Sequence, residues 1–478
     1  MYHRVKKFLF ENQNLKQTVL KNTFWLFFGQ LSGRLLRTGL IIYAARVLGP
    51  ASWGAFSYAM TLVAFMTIFS DMGMGAIVTR EAAKSPEFSK KYFSTAFCLK
   101  IILLIAGILL LIFGGKYFTN IPEAQNLMPL IAVILFFDSL RNFGFVISRA
   151  KEKMQLEALN EVFTNFLITT FGLLFLFFIP SSESLTIGYL YGVAIGFIVA
   201  LLTLKDHFYS SLNNFDKNLV KPILKDSLPF ALASFLGAIM INTDLIMIGW
   251  MRPADDVGFY AAAQKPIQVF YTLASLFAVS IFPALTKTLK ESLEKGGKIL
   301  EKAVATSLLI AIPLCFGGII LGDQIVALLF GSDYSSAALS FQILMLTMLI
   351  IFPSVIVSNS ILAHEQQKNF VTFSMIGAIG NILFNFLLIP FFGIAGASAS
   401  TVITQLVSNY FIWHKMQAVN PFSVWPNIQK IILSAITMSF FIFLFKIASI
   451  PLLINITLAI IIYLFLLKLL KEKLLDLF

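Results

Sequence analysis

From Asn22 to Leu467 the chain alternates long apolar runs with short polar connections, and about fourteen of the runs are long enough to cross a bilayer as helices. Such a crossing takes roughly 20 apolar residues, and only helices and closed barrels satisfy their backbone polar groups in hydrocarbon. The expected spans are 22 to 45, 54 to 79, 93 to 113, 128 to 149, 160 to 180, 186 to 204, 227 to 250, 258 to 285, 303 to 321, 337 to 361, 370 to 390, 395 to 413, 429 to 449 and 450 to 467. The pattern therefore predicts an all-α integral membrane protein.

Composition supports this reading: 58% of the residues are hydrophobic, 13% are charged, and mean hydropathy is +0.84. The longest polar stretches, 1 to 21, 205 to 226 and 287 to 302, are too short to bury a core of their own. Both cysteines, Cys98 and Cys315, sit inside apolar runs, where free buried thiols are expected rather than a disulfide framework. The histidines, His3, His207, His364 and His414, are scattered through polar connections without metal-ligand spacing, so no metal and no other cofactor is expected. The apolar run from Phe24 is too long for a signal-peptide core and reads as a permanent first span.

Of the 36 Lys and Arg residues, Arg46, Lys116, Arg252 and Lys446 are assigned to the outer side, five lie within spans, and the rest fall on the side of the N-terminus. By the positive-inside rule both termini are cytoplasmic. The net charge of +12 is then a topology signal with some attraction to anionic lipid, and it requires no nucleic acid partner. Trp25, Trp53, Trp250, Trp413 and Trp425 fall at or beside span ends, as expected of interfacial aromatic belts. The outer connections are short, which argues against a membrane polymerase or ligase with a large catalytic loop.

An internal repeat organises the spans. Thr38-Gly39-Leu40-Ile41 echoes Thr243-Asp244-Leu245-Ile246, and Gly54-Ala55-Phe56-Ser57-Tyr58-Ala59 echoes Gly258-Phe259-Tyr260-Ala261-Ala262-Ala263 at nearly the same offset. An even number of helices between the copies gives both halves the same orientation, the plan of a two-lobed transporter. The expected domains are a cytoplasmic segment 1 to 21, a six-helix lobe 22 to 204, a connection 205 to 226, a second six-helix lobe 227 to 413, and two further helices with a tail at 414 to 478. Gly188, Gly192 and Gly196 recur every fourth residue, a spacing that lets helices approach closely.

Several motifs carry a family resemblance. Phe28-Gly29-Gln30, Arg46-Val47-Leu48-Gly49-Pro50, Trp53-Gly54-Ala55-Phe56-Ser57-Tyr58-Ala59, Asp71-Met72-Gly73 and Thr79-Arg80-Glu81 resemble the opening of polysaccharide biosynthesis membrane proteins. These are the Wzx-type oligosaccharide flippases of the multidrug/oligosaccharidyl-lipid/polysaccharide exporter superfamily. Ser227-Leu228-Pro229-Phe230, Asn242-Thr243-Asp244, Phe282-Pro283-Ala284 and Gly393-Ile394-Ala395-Gly396-Ala397 extend the resemblance through the second half. It implies export of an undecaprenyl-pyrophosphate-linked oligosaccharide across the cytoplasmic membrane by alternating access, with polysaccharide polymerase machinery as a further partner. An ion-coupled multidrug exporter and a membrane glycan ligase or polymerase are the competing readings. The excess of intramembrane cations disfavours the exporter, and the lack of an acid-base cluster disfavours the enzyme.

Charges inside the spans are the candidate chemistry. Each costs roughly 2.5 to 3.5 kcal/mol facing lipid at the bilayer centre, so they face the bundle interior or a wet cavity. Depth along the helices suggests the pairs Asp71 with Lys100, Asp138 with Arg141, and Asp244 with Lys265, either as buried ion pairs or as sites coupling transport to H⁺ or Na⁺. That pairing leaves Arg34 and Arg37 of the first span without a carboxylate. Their forked donors suit a pyrophosphate, and the competing expectation is a structural role against backbone carbonyls. Asn381, Asn385, Gln405 and Asn409 form i, i+4 polar pairs that can meet sugar hydroxyls or serve as hydrogen bonds between helices.

Overall fold

A computed structural model describes residues 7, 9–84, 86–212, 214–472 and 474. Arg4 and Lys6 of the basic N-terminal segment, and His3, lie outside the described residues. Among the described residues the protein is helical, without strands. The first element, α1 (Leu15–Asp71), is opened by Asn14, whose side chain accepts from the Gln17 N–H at 2.9 Å. It covers two of the expected spans, because Gly49 at φ 74° breaks the helical path just before Pro50. A proline contributes no N–H to the ladder, and the positive φ is open to glycine at little cost, so the pair makes a sharp joint. The same device recurs in α13 (Gln367–Val419), where Gly393 at φ 56° follows Pro390.

Between these lie α2 (Met74–Ala82), α3 (Pro86–Phe118), α4 (Pro122–Gly144), α5 (Val146–Ala150), α6 (Met154–Phe178), α7 (Ser182–Leu212), α8 (Val220–Met251), α9 (Ala254–Glu291), α10 (Leu293–Phe330), α11 (Ala337–Met345) and α12 (Met348–Ala363). The chain closes with α14 (Trp425–Ile447) and α15 (Leu452–Leu469). Among the described residues ten helices are long and apolar enough to cross a membrane, eleven if the bent pair α11 and α12, at 43°, is one span. The expected number was about fourteen. The joints at Gly49 and Gly393 account for two of the difference, and the expected span 258 to 285 lies in α9, which is not among the ten.

Two compact units divide the chain: residues 1 to 238 with Pro253–Gly258, and Ile239–Arg252 with Phe259–Phe478. In the first, α6 packs against both α1 and α7. The glycines of α7 make the second contact possible. A Cβ on Gly188 would lie 2.8 Å from the Gly172 Cα, one on Gly192 2.6 Å from the Ile168 N, and one on Gly196 2.2 Å from the Thr164 hydroxyl. Helix backbones touching in this way gain dispersion contacts that larger residues would prevent. The first unit also contains a close approach of the two glycines that the repeat aligns. A Cβ on Gly54 would stand 2.0 Å from the Ala254 carbonyl oxygen, and one on Gly258 2.0 Å from that of Pro50.

In the first unit Met74, Val78, Phe93, Phe143, Phe145 and Ile223 belong to one buried cluster. In the second unit α10 packs against α11, α12 and α14, and α15 is tied to α10 by the Tyr463 hydroxyl donating to the Leu309 carbonyl at 2.8 Å. Four of the five tryptophans divide into two kinds, and Trp413 is half-buried with its ring against Phe422. Trp250 and Trp425 are exposed, as belt residues would be, whereas Trp53 is buried at 1% exposure and Trp25 is buried with its indole N–H on the Leu9 carbonyl. Packing, not an interface with lipid headgroups, holds those two.

Candidate functional site

Four charged side chains of the first unit, Arg37, Glu161, Arg141 and Asp138, meet where α6 lies on α1. Two glycines one turn apart open that face: a Cβ on Gly29 would lie 2.9 Å from the Ala158 Cα, and one on Gly33 2.7 Å from the Asn165 amide nitrogen. This brings Asn165 and Glu161 of α6 against Arg37 of α1. The Arg37 Nε donates to Asn165 Oδ1 at 2.6 Å, and its Nη2 stands 3.9 Å from Glu161 Oε1. Asn165 in turn donates to the Glu161 carboxylate at 2.9 Å and to the Glu161 carbonyl at 2.7 Å. The other Glu161 oxygen accepts from Arg141 Nη1 at 2.8 Å. Arg141 also reaches Asp138 at 2.9 Å and Asn160 at 3.2 Å, and Asn142 donates to the second Asp138 oxygen at 3.1 Å.

The result is a chain of alternating charge, Arg37, Glu161, Arg141, Asp138, across α1, α6 and α4. The expectation that Arg37 has no carboxylate is corrected here. Glu161 was missed because it lies next to the start of a predicted span, where an acidic residue reads as a boundary. The signal that could have found it is the i, i+4 pair Glu161 and Asn165, on one helical face with Ala158 of the α1 contact. Arg34 stands one turn from Arg37 on α1 and is exposed.

Asp71 and Lys100 come together at 3.2 Å. The lysine is 2% exposed and its Nζ stands 5.2 Å from the centroid of the Phe143 ring, so a carboxylate and an aromatic face both compensate its lost hydration.

In the second unit Asp244 of α8 is buried at 2% exposure and receives four hydrogen bonds from neutral groups. The Tyr260 hydroxyl donates to Oδ2 at 2.5 Å and Thr401 to the same oxygen at 2.7 Å; the amides of Asn381 and Asn385 donate to Oδ1 at 3.0 and 2.6 Å. Lys265, expected as the counter-ion, is outside this set of donors. Depth places a residue along one axis only, and azimuth around α9 turns Tyr260 toward Asp244. Asn381 and Asn385 lie one turn apart before the Gly393 joint and Thr401 lies after it, so the bend in α13 assembles the donors. These two asparagines therefore act between helices here rather than toward an open cavity. Asn385 Oδ1 is buried and has no hydrogen-bond partner among the described residues. Asn409 donates to Gln405 Oε1 at 3.0 Å and accepts from Ser354.

The chain matches the family described as polysaccharide biosynthesis protein over residues 19–289. It is 22% identical over 440 residues to a probable low-salt glycan biosynthesis flippase of Haloferax volcanii, covering 87% of this chain and 88% of the relative. To the capsular polysaccharide biosynthesis protein CapF of Staphylococcus aureus it is 23% identical, over 83% of this chain and 99% of that one. Among solved structures, the lipid II flippase MurJ in an inward closed conformation superposes with a TM-score of 0.81 at 20% identity, covering 94% of this chain and 99% of MurJ. An inward-facing multidrug resistance MATE family transporter gives a TM-score of 0.66 at 15% identity, over 81% of this chain and 95% of that one.

Proposed function

Because the chain belongs to the polysaccharide biosynthesis protein family, we propose that it flips a polyprenyl-pyrophosphate-linked oligosaccharide from the inner to the outer leaflet of the cytoplasmic membrane. Translocation by alternating access of the halves 22 to 204 and 227 to 413, with both termini cytoplasmic, suits the repeat and the segregation of Lys and Arg. Relatives bearing flippase and capsular polysaccharide names support the substrate class. The protein acts on its substrate by moving it, with no bond made or broken, and hands it to polysaccharide polymerase machinery on the outer side.

The observation that carries this reading is the pair Arg34 and Arg37 on one helix, with Arg37 oriented by Asn165 and 39% of its side chain exposed. Two guanidinium forks offer planar, paired donors for a pyrophosphate. Asp244 is the proposed coupling residue. Its carboxylate, with the Thr401 hydroxyl and the Asn385 oxygen that has no hydrogen-bond partner among the described residues, offers oxygen ligands in a buried site, which suits uptake of H⁺ or Na⁺.

The test is transfer of a fluorescent polyprenyl-pyrophosphate oligosaccharide across proteoliposomes. Arg34→Ala and Arg37→Ala should each insert normally and lose transfer, and Lys at either position should rescue poorly for want of the fork. Full transfer by the double Ala variant would remove both arginines from the mechanism.

A further inference from the structure

Arg37 differs from its neighbour Arg141 in how it is held. Arg141, 4% exposed, uses its guanidinium on Asp138, Glu161 and Asn160. Arg37 is 39% exposed, and only its Nε is hydrogen-bonded among the described residues, to Asn165. Its Nη2 lies 3.9 Å from Glu161, beyond hydrogen-bond reach. The two Nη nitrogens, which make the fork for an oxyanion, are thus kept available while the orientation of the group is fixed. Glu161 is itself anchored, since one oxygen is bonded to Arg141 at 2.8 Å and the other to Asn165 at 2.9 Å. It cannot swing over to close on Arg37 without leaving Arg141.

We infer that Asn165 and Glu161 are positioning residues of the anion site, Asn165 aiming the Arg37 fork at a pyrophosphate and Glu161 setting how tightly that pyrophosphate is kept. The inference rests on the reading of Arg37 as an anion ligand. Asn165 supplies orientation without charge: a neutral carbonyl on Nε leaves the full positive charge of Arg37 for the substrate. Glu161 supplies the opposing charge. A pyrophosphate on Arg37 sits beside a fixed carboxylate and is repelled by it, so binding is held weak enough for release after each crossing. A carrier that must let its cargo go on the far side gains nothing from a site without such a counter-charge, because tighter binding of the resting complex does not speed a step that ends in dissociation.

The experiment titrates farnesyl pyrophosphate, a soluble prenyl pyrophosphate, into the full-length protein in detergent by calorimetry, alongside transfer in proteoliposomes. Glu161→Gln leaves Arg141 on Asp138 and keeps one amide oxygen for it; its NH2 no longer accepts from Asn165, which retains the backbone carbonyl of residue 161 at 2.7 Å. This variant should bind on the order of tenfold more tightly and transfer more slowly. Loss of affinity and of transfer together would show a merely structural residue and overturn the assignment of Glu161. Asn165→Ala should weaken binding in the native background and have no further effect in Arg37→Ala, a non-additive cycle. Additive losses would overturn the assignment of Asn165. Arg37→Ala alone separates the two levels: if it binds farnesyl pyrophosphate like the native protein, the anion site itself falls, and with it this inference.

Discussion

Replacing Arg141 by Met removes the one cation that two carboxylates share. Asp138 and Glu161 lie 2.9 and 2.8 Å from the guanidinium, their side chains 27% and 29% exposed while Arg141 is 4% exposed. At an effective dielectric of about 20, each contact supplies roughly 5 to 6 kcal/mol of Coulomb attraction before desolvation is subtracted. The net loss on removing one partner of such a buried group is about 3 to 5 kcal/mol, most of it the cost of leaving the other charges uncompensated. Arg141→Met should therefore lower membrane abundance and the melting temperature of the purified protein, followed by intrinsic fluorescence in detergent. The triple variant Asp138→Asn, Arg141→Met, Glu161→Gln should recover most of that loss, because the neutral amides strand no buried charge; Arg37, which loses its carboxylate, is 39% exposed and keeps its bond to Asn165. Arg141→Lys should fall between, holding one carboxylate at a time without the fork. If the losses of the separate substitutions simply add in the triple variant, the three residues do not act as one group and the reasoning fails.

A cysteine at Ser292 should be labelled only from the cytoplasm and one at Ser332 only from outside, in a variant lacking Cys98 and Cys315; outside labelling at Ser292 would break the orientation. Gly192→Leu should force α7 away from α6, since even a Cβ there would meet the Ile168 backbone at 2.6 Å, with a stability loss of about 1 to 3 kcal/mol or more that a melt would register; an unchanged melt would contradict the close approach. For Asp244, Asn385→Ala and Thr401→Val should each make transport less sensitive to the driving ion gradient while leaving abundance near native, measured by transfer with and without imposed H⁺ or Na⁺ gradients. Unaltered gradient dependence in both variants would exclude Asp244 as the coupling site.

The sequence by itself determined the solvent of this protein. Whether a segment crosses a bilayer depends on its own length and apolar content, and which way it faces depends on where Lys and Arg lie in the connections, both local properties. The repeat and the spacing of Gly188, Gly192 and Gly196 are equally local, and the motifs from Phe28 to Glu81 were enough to suggest the family. Partners were not legible in the same way. Position along a helix gives depth, but contact also requires the azimuth of each side chain and the identity of the neighbouring helix, which packing alone sets. So Asp244 meets Tyr260, Asn381, Asn385 and Thr401, brought together by the bend at Gly393, where depth had suggested Lys265. Likewise Glu161, at the edge of the expected span 160 to 180 and not singled out there, is the carboxylate between Arg37 and Arg141 because Gly29 and Gly33 let α6 settle on α1. The membrane dictates that buried charges must find company; only the tertiary structure decides which.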